Sequence, residues 1–470
     1  MEVSRRYFMQ SAAVVSLGFR GLQTLLADPP AASESAQTVV GYGPLVADTR
    51  GVLDLPAGFS YRVVSRVGDR MDDGLIVPGN PDGMAAFPGP NGKTILVRNH
   101  ELYSYQKNLG PFGPNNELLH KIDRDRLYDA GRSISPGLGG TTTVVYDTKT
   151  GRVETQFLSL AGTEHNCAGG PTPWGSWISC EETVSRADEA HEQDHGYNFE
   201  VPIDLGGGAV LPEPIKAMGR FNHEAIALDP RTGIVYQTED RDDALLYRYI
   251  PNQPGKLIAG GRLQALRIRE QKSLDTRNWL AEEAALIAVA ARFKVEWLDL
   301  DEIDAPDDNL RYRGYDAGAA RFARTEGIWY GHDAAYIACT TGGLARKGQI
   351  WKYIPSQHEG TPREMERPGV LELFVEPNDP GVVNNADNLT IAPWGDLIVC
   401  EDSEAPRPHQ RLVGVTPAGH FYHLARNAID SSEFAGVTFS PDGTTLFVNL
   451  QLTGLTLAIS GPWRNRAYNA

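Results

Sequence analysis

No stretch of 18 apolar residues occurs in the 470-residue chain, so nothing after the N-terminus reads as a membrane-spanning helix. A basic surplus is missing too: Lys and Arg number 44 against 60 Asp and Glu, a formal charge of −16. Nucleic-acid binders carry a basic face, so no nucleic-acid partner is expected. Cysteine is scarce, with four residues, too few for a small disulfide-built scaffold but enough for two bridges in an exported protein. Low-complexity tracts are absent, although Gly 49 and Pro 31 mark a turn-rich chain. With 41% hydrophobic and 22% charged residues the composition is that of a folded globular protein, which excludes general disorder. The excess is of acid, and crowded acids repel one another unless cations bind among them.

The N-terminus carries Ser4-Arg5-Arg6-Tyr7-Phe8-Met9 before a weakly apolar stretch from Ser11 to Leu26. An arginine pair followed by such a stretch predicts a twin-arginine export signal, against the alternative of a chance pair before a helix. Arg20 inside the stretch and the lack of a clean A-x-A cleavage site count against the signal. Residues 1–40 are therefore expected to be a signal and leader, and 41–470 a single domain. This route exports folded, often metal-loaded proteins, which points to the twin-arginine machinery as a partner and to a periplasmic or secreted location.

Two segments repeat openly. Pro173-Trp174-Gly175 through Ile178-Ser179-Cys180-Glu181-Glu182 aligns without a gap to Pro393-Trp394-Gly395 through Ile398-Val399-Cys400-Glu401-Asp402, which sets Cys167 opposite Asp387. The same grammar of polar residue, turn, apolar strand and acidic terminus recurs from Glu224 to Asp240 and from Glu326 to Thr340. It recurs again from Asp82 to Glu101, through Pro90-Asn91-Gly92, and from Phe434 to Asn449, through Pro441-Asp442-Gly443. Six such hairpins predict an all-β fold, a six-bladed β-propeller with inter-blade insertions. A pair of β-sandwiches is the less favoured alternative. One insertion is expected to be a helix from about Thr276 to Val295, where Trp279, Leu280, Ala284, Leu286 and Ile287 recur at helical spacing.

Inner strands of a propeller line its central channel, so their polar ends meet on one axis. Those ends are Glu101, Cys167, Glu181-Glu182, Glu224, Glu239-Asp240, Glu326, Asp387 and Glu401-Asp402. Carboxylates so crowded cannot all ionise without cations. Oxygen donors in that number suit Ca²⁺, and Cys167 adds a soft donor that favours a transition metal such as iron. Cys180, Cys339 and Cys400 end apolar strands and read as buried core residues. His100 and His223 fit either a metal or a buried structural hydrogen bond. Arg324, two residues before Glu326, offers a fixed cation to a phosphate oxygen, or else pairs with one of the acids. Trp174 and Trp394 are repeat-equivalent, which favours packing over substrate stacking.

Together these motifs resemble the PhoX family of bacterial alkaline phosphatases. The strings are Val97-Arg98-Asn99-His100-Glu101, Asn166-Cys167-Ala168-Gly169-Gly170 through Trp174 to Cys180-Glu181-Glu182, and Asn222-His223-Glu224. Tyr236-Gln237-Thr238-Glu239-Asp240, Arg324-Thr325-Glu326-Gly327 and Asp387-Asn388-Leu389 through Trp394 to Glu401-Asp402 complete the set. The resemblance implies a phosphomonoester hydrolase with Fe³⁺ and Ca²⁺ in a six-bladed propeller, working as a monomer on a phosphomonoester substrate. It implies Cys167 as an iron thiolate, Glu101, Glu182 and Glu326 as carboxylate ligands, and Arg324 as the phosphate-contacting arginine. Glu224 and Glu239 are both carried for a further ligand position, with Asp387 and Glu401 beside them as ligands, and Asn388 joins Arg324 as a catalytic position. The metals would activate the attacking oxygen while Ca²⁺ and Arg324 neutralise the phosphoryl oxygens. Two other readings stay open: a Ca²⁺-dependent propeller that hydrolyses lactones or phosphotriesters, and a non-catalytic binding propeller with structural metals.

Overall fold

The computed structural model describes residues 41–279, 286–403 and 410–465. The expected export signal lies outside the described residues. Each of the six repeat segments is an antiparallel hairpin, and each extends into a meander. The first meander is Pro81–Pro88, Thr94–His100, Gly139–Asp147 and Arg152–Thr163. The second has three strands, Asn166–Pro171, Ser176–Glu181 and Asn198–Pro202. The third (His223–Leu228, Val235–Glu239, Tyr247–Pro251, Gly261–Ile268) and the fourth (Thr325–Gly331, Ala334–Cys339, Gln349–Ile354, Val370–Val375) join edge to edge through Arg292–Asp299 into one nine-stranded sheet. The fifth is Ala386–Ile391, Leu397–Glu401, Arg411–Val415 and Phe421–Asn427, extended by Leu53–Pro56 and Leu45–Val46. The sixth takes Phe434–Phe439, Thr445–Leu450 and Leu455–Ser460 from the end of the chain, and Ser60–Arg66 from its beginning as the outer strand.

The first strands of successive meanders lie beside one another, and that of the sixth returns to that of the first, a propeller-like arrangement. The second strands are packed on both faces by neighbouring meanders and therefore read as continuous apolar runs rather than alternating ones. Ser176–Glu181, Ala334–Cys339 and Thr445–Leu450 are buried at every residue. Ile398, Leu412, Leu446, Val448 and Leu457 form one such interface, in which each buried aliphatic side chain contributes roughly 1.5–3 kcal/mol. Cys180, Cys339 and Cys400 are free thiols in these cores, and Cys167 is also free, so the chain has no disulfide among its four cysteines.

The predicted helix over Thr276–Val295 is not what the described part of that segment forms. Asn278, at positive φ, hydrogen bonds through both ends of its amide to the backbone of Ile287. Arg292–Asp299 is then the strand that joins two meanders, with Val295 buried against its neighbours. Pairing with two ready sheet edges outweighs a helical spacing of apolar residues; residues 280–285 lie outside the described residues. The one α-helix among the described residues is Leu310–Asp316. No helix among them is long and apolar enough to cross a membrane.

A buried histidine ties the second meander to the first. His195 Nδ1 lies 2.7 Å from Glu181 Oε1 and Nε2 lies 3.3 Å from Asp129 Oδ2. Glu164 stands nearby, the rings of Tyr128 and His191 pack edge-on, and Arg220 donates to the His195 carbonyl. Burial opposes the imidazolium, but Glu181 and Asp129 overcome it and push its pKa up to about 10. The ion-pair stabilisation is complete below the ordinary histidine value of 6.5 and disappears as pH climbs to about 10. His195→Gln should cost about 3–5 kcal/mol by leaving two buried carboxylates without their cation. Scanning calorimetry checks this: the wild-type melting temperature should fall through that window more steeply than the variant's.

Candidate metal centre

Each inner strand runs in register with its neighbour except near its start, where two residues face one. The paired residues are Asp82-Gly83, Cys167-Ala168, Glu224-Ala225, Glu326-Gly327, Asp387-Asn388 and Gly436-Val437. A β-bulge re-aims a side chain, and here five of the six leading positions hold a carboxylate or a thiol. Their donor atoms meet. Asp82, Glu101 and Cys167 offer ligand atoms within 4.8 Å of one another, as do Glu101, His165 and Glu182. The same holds for Cys167, Glu182 and Glu224, and for Glu224, Glu326 and Asp387. Shared members fuse the four triads into one continuous cluster.

A second tier comes from the residue just past each second strand: Glu101, Glu182, Asp240 and Asp402, with Thr340 in the fourth meander and Gln451 in the sixth. The residue one position earlier points to the opposite side, as strand alternation requires. There His100 bonds the Gly79 carbonyl and Thr142 Oγ1, and Glu181 pairs with His195. Glu239 occupies the same position, 3.7 Å from Arg311 and accepting from the Tyr247 hydroxyl at 2.8 Å. Glu401 takes a bidentate grip from Arg411, at 2.8 and 2.6 Å. Glu239 and Glu401 thus stand outside the donor cluster, while Glu101, Cys167, Glu182, Glu224, Glu326 and Asp387 are in it. His223, like His100, is a buried structural residue, held by the Gly219 carbonyl and Asn198, and burial lowers its pKa to about 3.

Two cations border the cluster from equivalent places. His165 and Arg324 immediately precede the inner strands of the second and fourth meanders, and both sit in the left-handed region, at φ 49° and 48°. Such backbone costs about 1–3 kcal/mol and persists where the surroundings dictate it. His165 lies 3.1 Å from Glu101 and 3.3 Å from Glu182, and these acids outweigh burial to raise its pKa to about 9. Arg324 grips Asp240 at 2.9 and 3.0 Å and reaches Glu326 at 2.5 Å. Glu326, then Asp240, hold its guanidinium firmly charged, with 23% of the side chain exposed.

The donors remain under-satisfied. Burial raises the pKa of Asp82 to about 7 and of Asp387 to about 8, and drives Glu101, Glu224 and Glu326 well above the carboxylate range. Burial, then Asp82 and Glu224, push the Cys167 thiol up as well. Its sulfur lies 3.1 Å from Glu224 Oε1 and 3.6 Å from Asp82 Oδ1, two acceptors for a single proton. Glu224 Oε2 and Asp387 Oδ1 are buried with no hydrogen-bond partner. Hard oxygens, one thiolate and orphaned carboxylate atoms fit a bound multi-metal group, and two side-chain cations cannot balance so many acids.

Asn99 sets the thiol's position: its Nδ2 donates to the Ala168 carbonyl at 2.6 Å and the Cys167 carbonyl at 3.2 Å, while Trp177 and Ser179 donate to its Oδ1. Asp82 is fixed by Gln451, which donates to it at 2.8 Å and also to Glu101. Asn388, the second bulge residue of its strand, faces a small axial cavity with Gly83, Ala168 and Ala225. Asp82 is the clustered acid that reading the motifs does not place among the strand ends, while Asp240 and Asp402 are named there but not chosen as ligands. Asp82 was visible as the repeat equivalent of Cys167 and Asp387, and Asp240 as the equivalent of Glu182.

Residues 40–454 match the model of the alkaline phosphatase PhoX family. The chain belongs to that family. PhoX proteins are metal-dependent phosphomonoester hydrolases, which is the function that membership assigns here. The fold is similar to that of Pseudomonas fluorescens PhoX, solved in complex with vanadate, a transition-state analogue: 18% identity, 90% of this chain and 98% of that one covered, TM-score 0.65. A gluconolactonase of Xanthomonas campestris is a more distant structural match, at 12% identity over 90% of this chain and 98% of that chain, TM-score 0.40. No curated protein matches the chain. The separation of Glu224, inside the donor cluster, from Glu239, paired with Arg311 outside it, makes a sharp forecast. Glu224→Gln should lower bound metal measured by elemental analysis, whereas Glu239→Gln should retain it and lose about 1–3 kcal/mol of stability.

Proposed function

We propose that the chain hydrolyses phosphomonoesters at an Fe³⁺ and Ca²⁺ centre on the axis of a six-bladed propeller formed by residues 41–470. The observation that carries this reading is the fusion of four donor triads, two of which include the buried Cys167 thiol. Cys167 is the soft donor for iron; Asp82, Glu101, Glu182, Glu224, Glu326 and Asp387 supply oxygens for iron and calcium. Six meanders whose first strands succeed one another round a ring support the blade number. One chain supplies every donor, in keeping with a monomer. The arginine pair near the N-terminus supports twin-arginine export to the periplasm or beyond.

Bound at these donors, the metals would supply positive charge for the phosphoryl oxygens and a water acidified enough to attack near neutral pH. Arg324 presents a guanidinium at the edge of the cluster, already oriented by Asp240 and Glu326, to one phosphoryl oxygen. The Asn388 amide, buried beside Asp387, orients a second oxygen from the axial side. Asn99 holds the Cys167 backbone in place, a positioning role rather than a chemical one. In a cluster so rich in acceptors, the phosphate's own charge is tolerated only through these cations.

Elemental analysis of the exported protein beside p-nitrophenyl phosphate hydrolysis at alkaline pH tests the reading. Iron and calcium with turnover that a chelator removes and Ca²⁺ restores is the expected result. Calcium without iron, and no phosphomonoesterase activity, would favour a calcium-only hydrolase or a binding protein. Cys167→Ala should lose iron and activity together; a variant keeping both refutes the thiolate assignment. Arg324→Ala should lower kcat/KM by roughly 10- to 100-fold, chiefly through KM, and weaken inhibition by inorganic phosphate.

A further inference from the structure

Next to the metal centre stands a short ladder of parallel rings that the chemistry above leaves unused. The ring of His165, wedged between Glu101 and Glu182, stacks on Tyr103 with centroids 4.2 Å apart and planes 27° apart. Tyr103 in turn stacks on Tyr105, 5.4 Å away and nearly parallel at 13°. The loop that carries both tyrosines leaves the first meander directly after Glu101 and is pinned at several points. Tyr103 N–H donates to Gln106 Oε1 at 2.8 Å, and Gln106 N–H to the Tyr103 carbonyl at 3.0 Å. Ser104 N–H donates to Glu164 at 2.9 Å, and His165 N–H to the carbonyl of fully buried Leu102 at 2.9 Å. Despite that anchoring Tyr105 is 74% exposed, the highest exposure among the large apolar side chains of the described residues.

A fixed backbone, one face stacked and the rest of the ring in solvent make a platform rather than a mobile surface side chain. Aromatic rings favour a parallel, offset neighbour, and a further planar ring would continue the series. A ring seated there extends a series that starts at His165, which touches Glu101 and Glu182, so the platform stands on the rim of the acid cluster, two rings out from those acids. Building on the phosphatase reading, we infer that Tyr105 is a specificity residue that stacks the planar leaving group of aromatic phosphomonoesters, nucleoside monophosphates above all. Aliphatic esters such as glycerol phosphate have no ring to place on it. The gain is one of binding: the bond broken is still the ester P–O bond, and Tyr105 takes no part in that step.

The test uses the full-length metal-loaded protein, with adenosine 5′-monophosphate and glycerol 3-phosphate as paired substrates. In Tyr105→Ala the ratio of kcat/KM for the nucleotide to that for glycerol phosphate should fall about two- to tenfold, mostly through KM. Tyr105→Trp should keep or raise that ratio. An unchanged ratio in Tyr105→Ala overturns the proposal, as does a fall shared by Tyr105→Trp. Calorimetric titration with the non-hydrolysable methylene phosphonate analogue of adenosine monophosphate separates the two layers of the argument. If neither ester is turned over, the phosphatase reading fails. Weaker analogue binding by Tyr105→Ala then still supports the stacking platform, and equal binding overturns it.

Discussion

Like charge crowded onto one axis is the constraint to which the rest of this structure answers. Asp82, Glu101, Glu182, Glu224, Glu326 and Asp387, with the Cys167 thiol, occupy a space in which every donor has another within contact range. Bringing them that close requires the backbones beneath them to touch. A Cβ on Gly83 would stand 2.4 Å from the Cα of Ala168; on Gly327, 2.7 Å from the Asp387 carbonyl; on Gly436, 2.2 Å from the Asp82 carbonyl. The small residues beside the donors are therefore part of the centre, since any side chain there would spread the ring. His165 and Arg324 soften the repulsion from equivalent positions, and bound metal completes the balance.

The same sheet geometry sorts functional acids from structural ones. Adjacent positions at the end of a second strand face opposite sides, so Glu182 reaches the donor cluster while Glu181 pairs with His195 away from it. Glu401 beside Asp402 and Glu239 beside Asp240 obey the same rule, each paired with an arginine. Burying an acid beside a matched cation on the inner side keeps it from adding to the charge on the axis. The arrangement separates stability from chemistry by a single residue of register.

Much of this was legible before any coordinates. The six hairpins, the special status of Cys167 in a glycine-rich loop, and six of the clustered donors follow from repeat alignment and residue type. Glu239 and Glu401 were chosen in place of Asp240 and Asp402 because a pair of neighbouring acids does not declare its own parity; the bulge that sets it is a property of pairing with another strand. Asp82 lay in plain view as a repeat position, but its strand start is followed by Gly83 rather than a polar residue, which hides its kinship with Asp387-Asn388. Residues 292–295 form strand rather than the end of the expected helix because two open sheet edges competed for them, a tertiary effect that spacing does not carry.

The outer strand Ser60–Arg66 pairs with Leu455–Ser460, nearly 400 residues away along the chain. During synthesis the first of these stays unpaired until the second has been made, nearly 400 residues later. The ring cannot close, nor all its donors converge, until the last strand has emerged. Closure of this sheet therefore cannot be vectorial and carries the slow kinetics of long-range pairing. A truncated product would expose an acidic cleft with no fixed geometry, so faithful metal capture is reserved for the finished molecule.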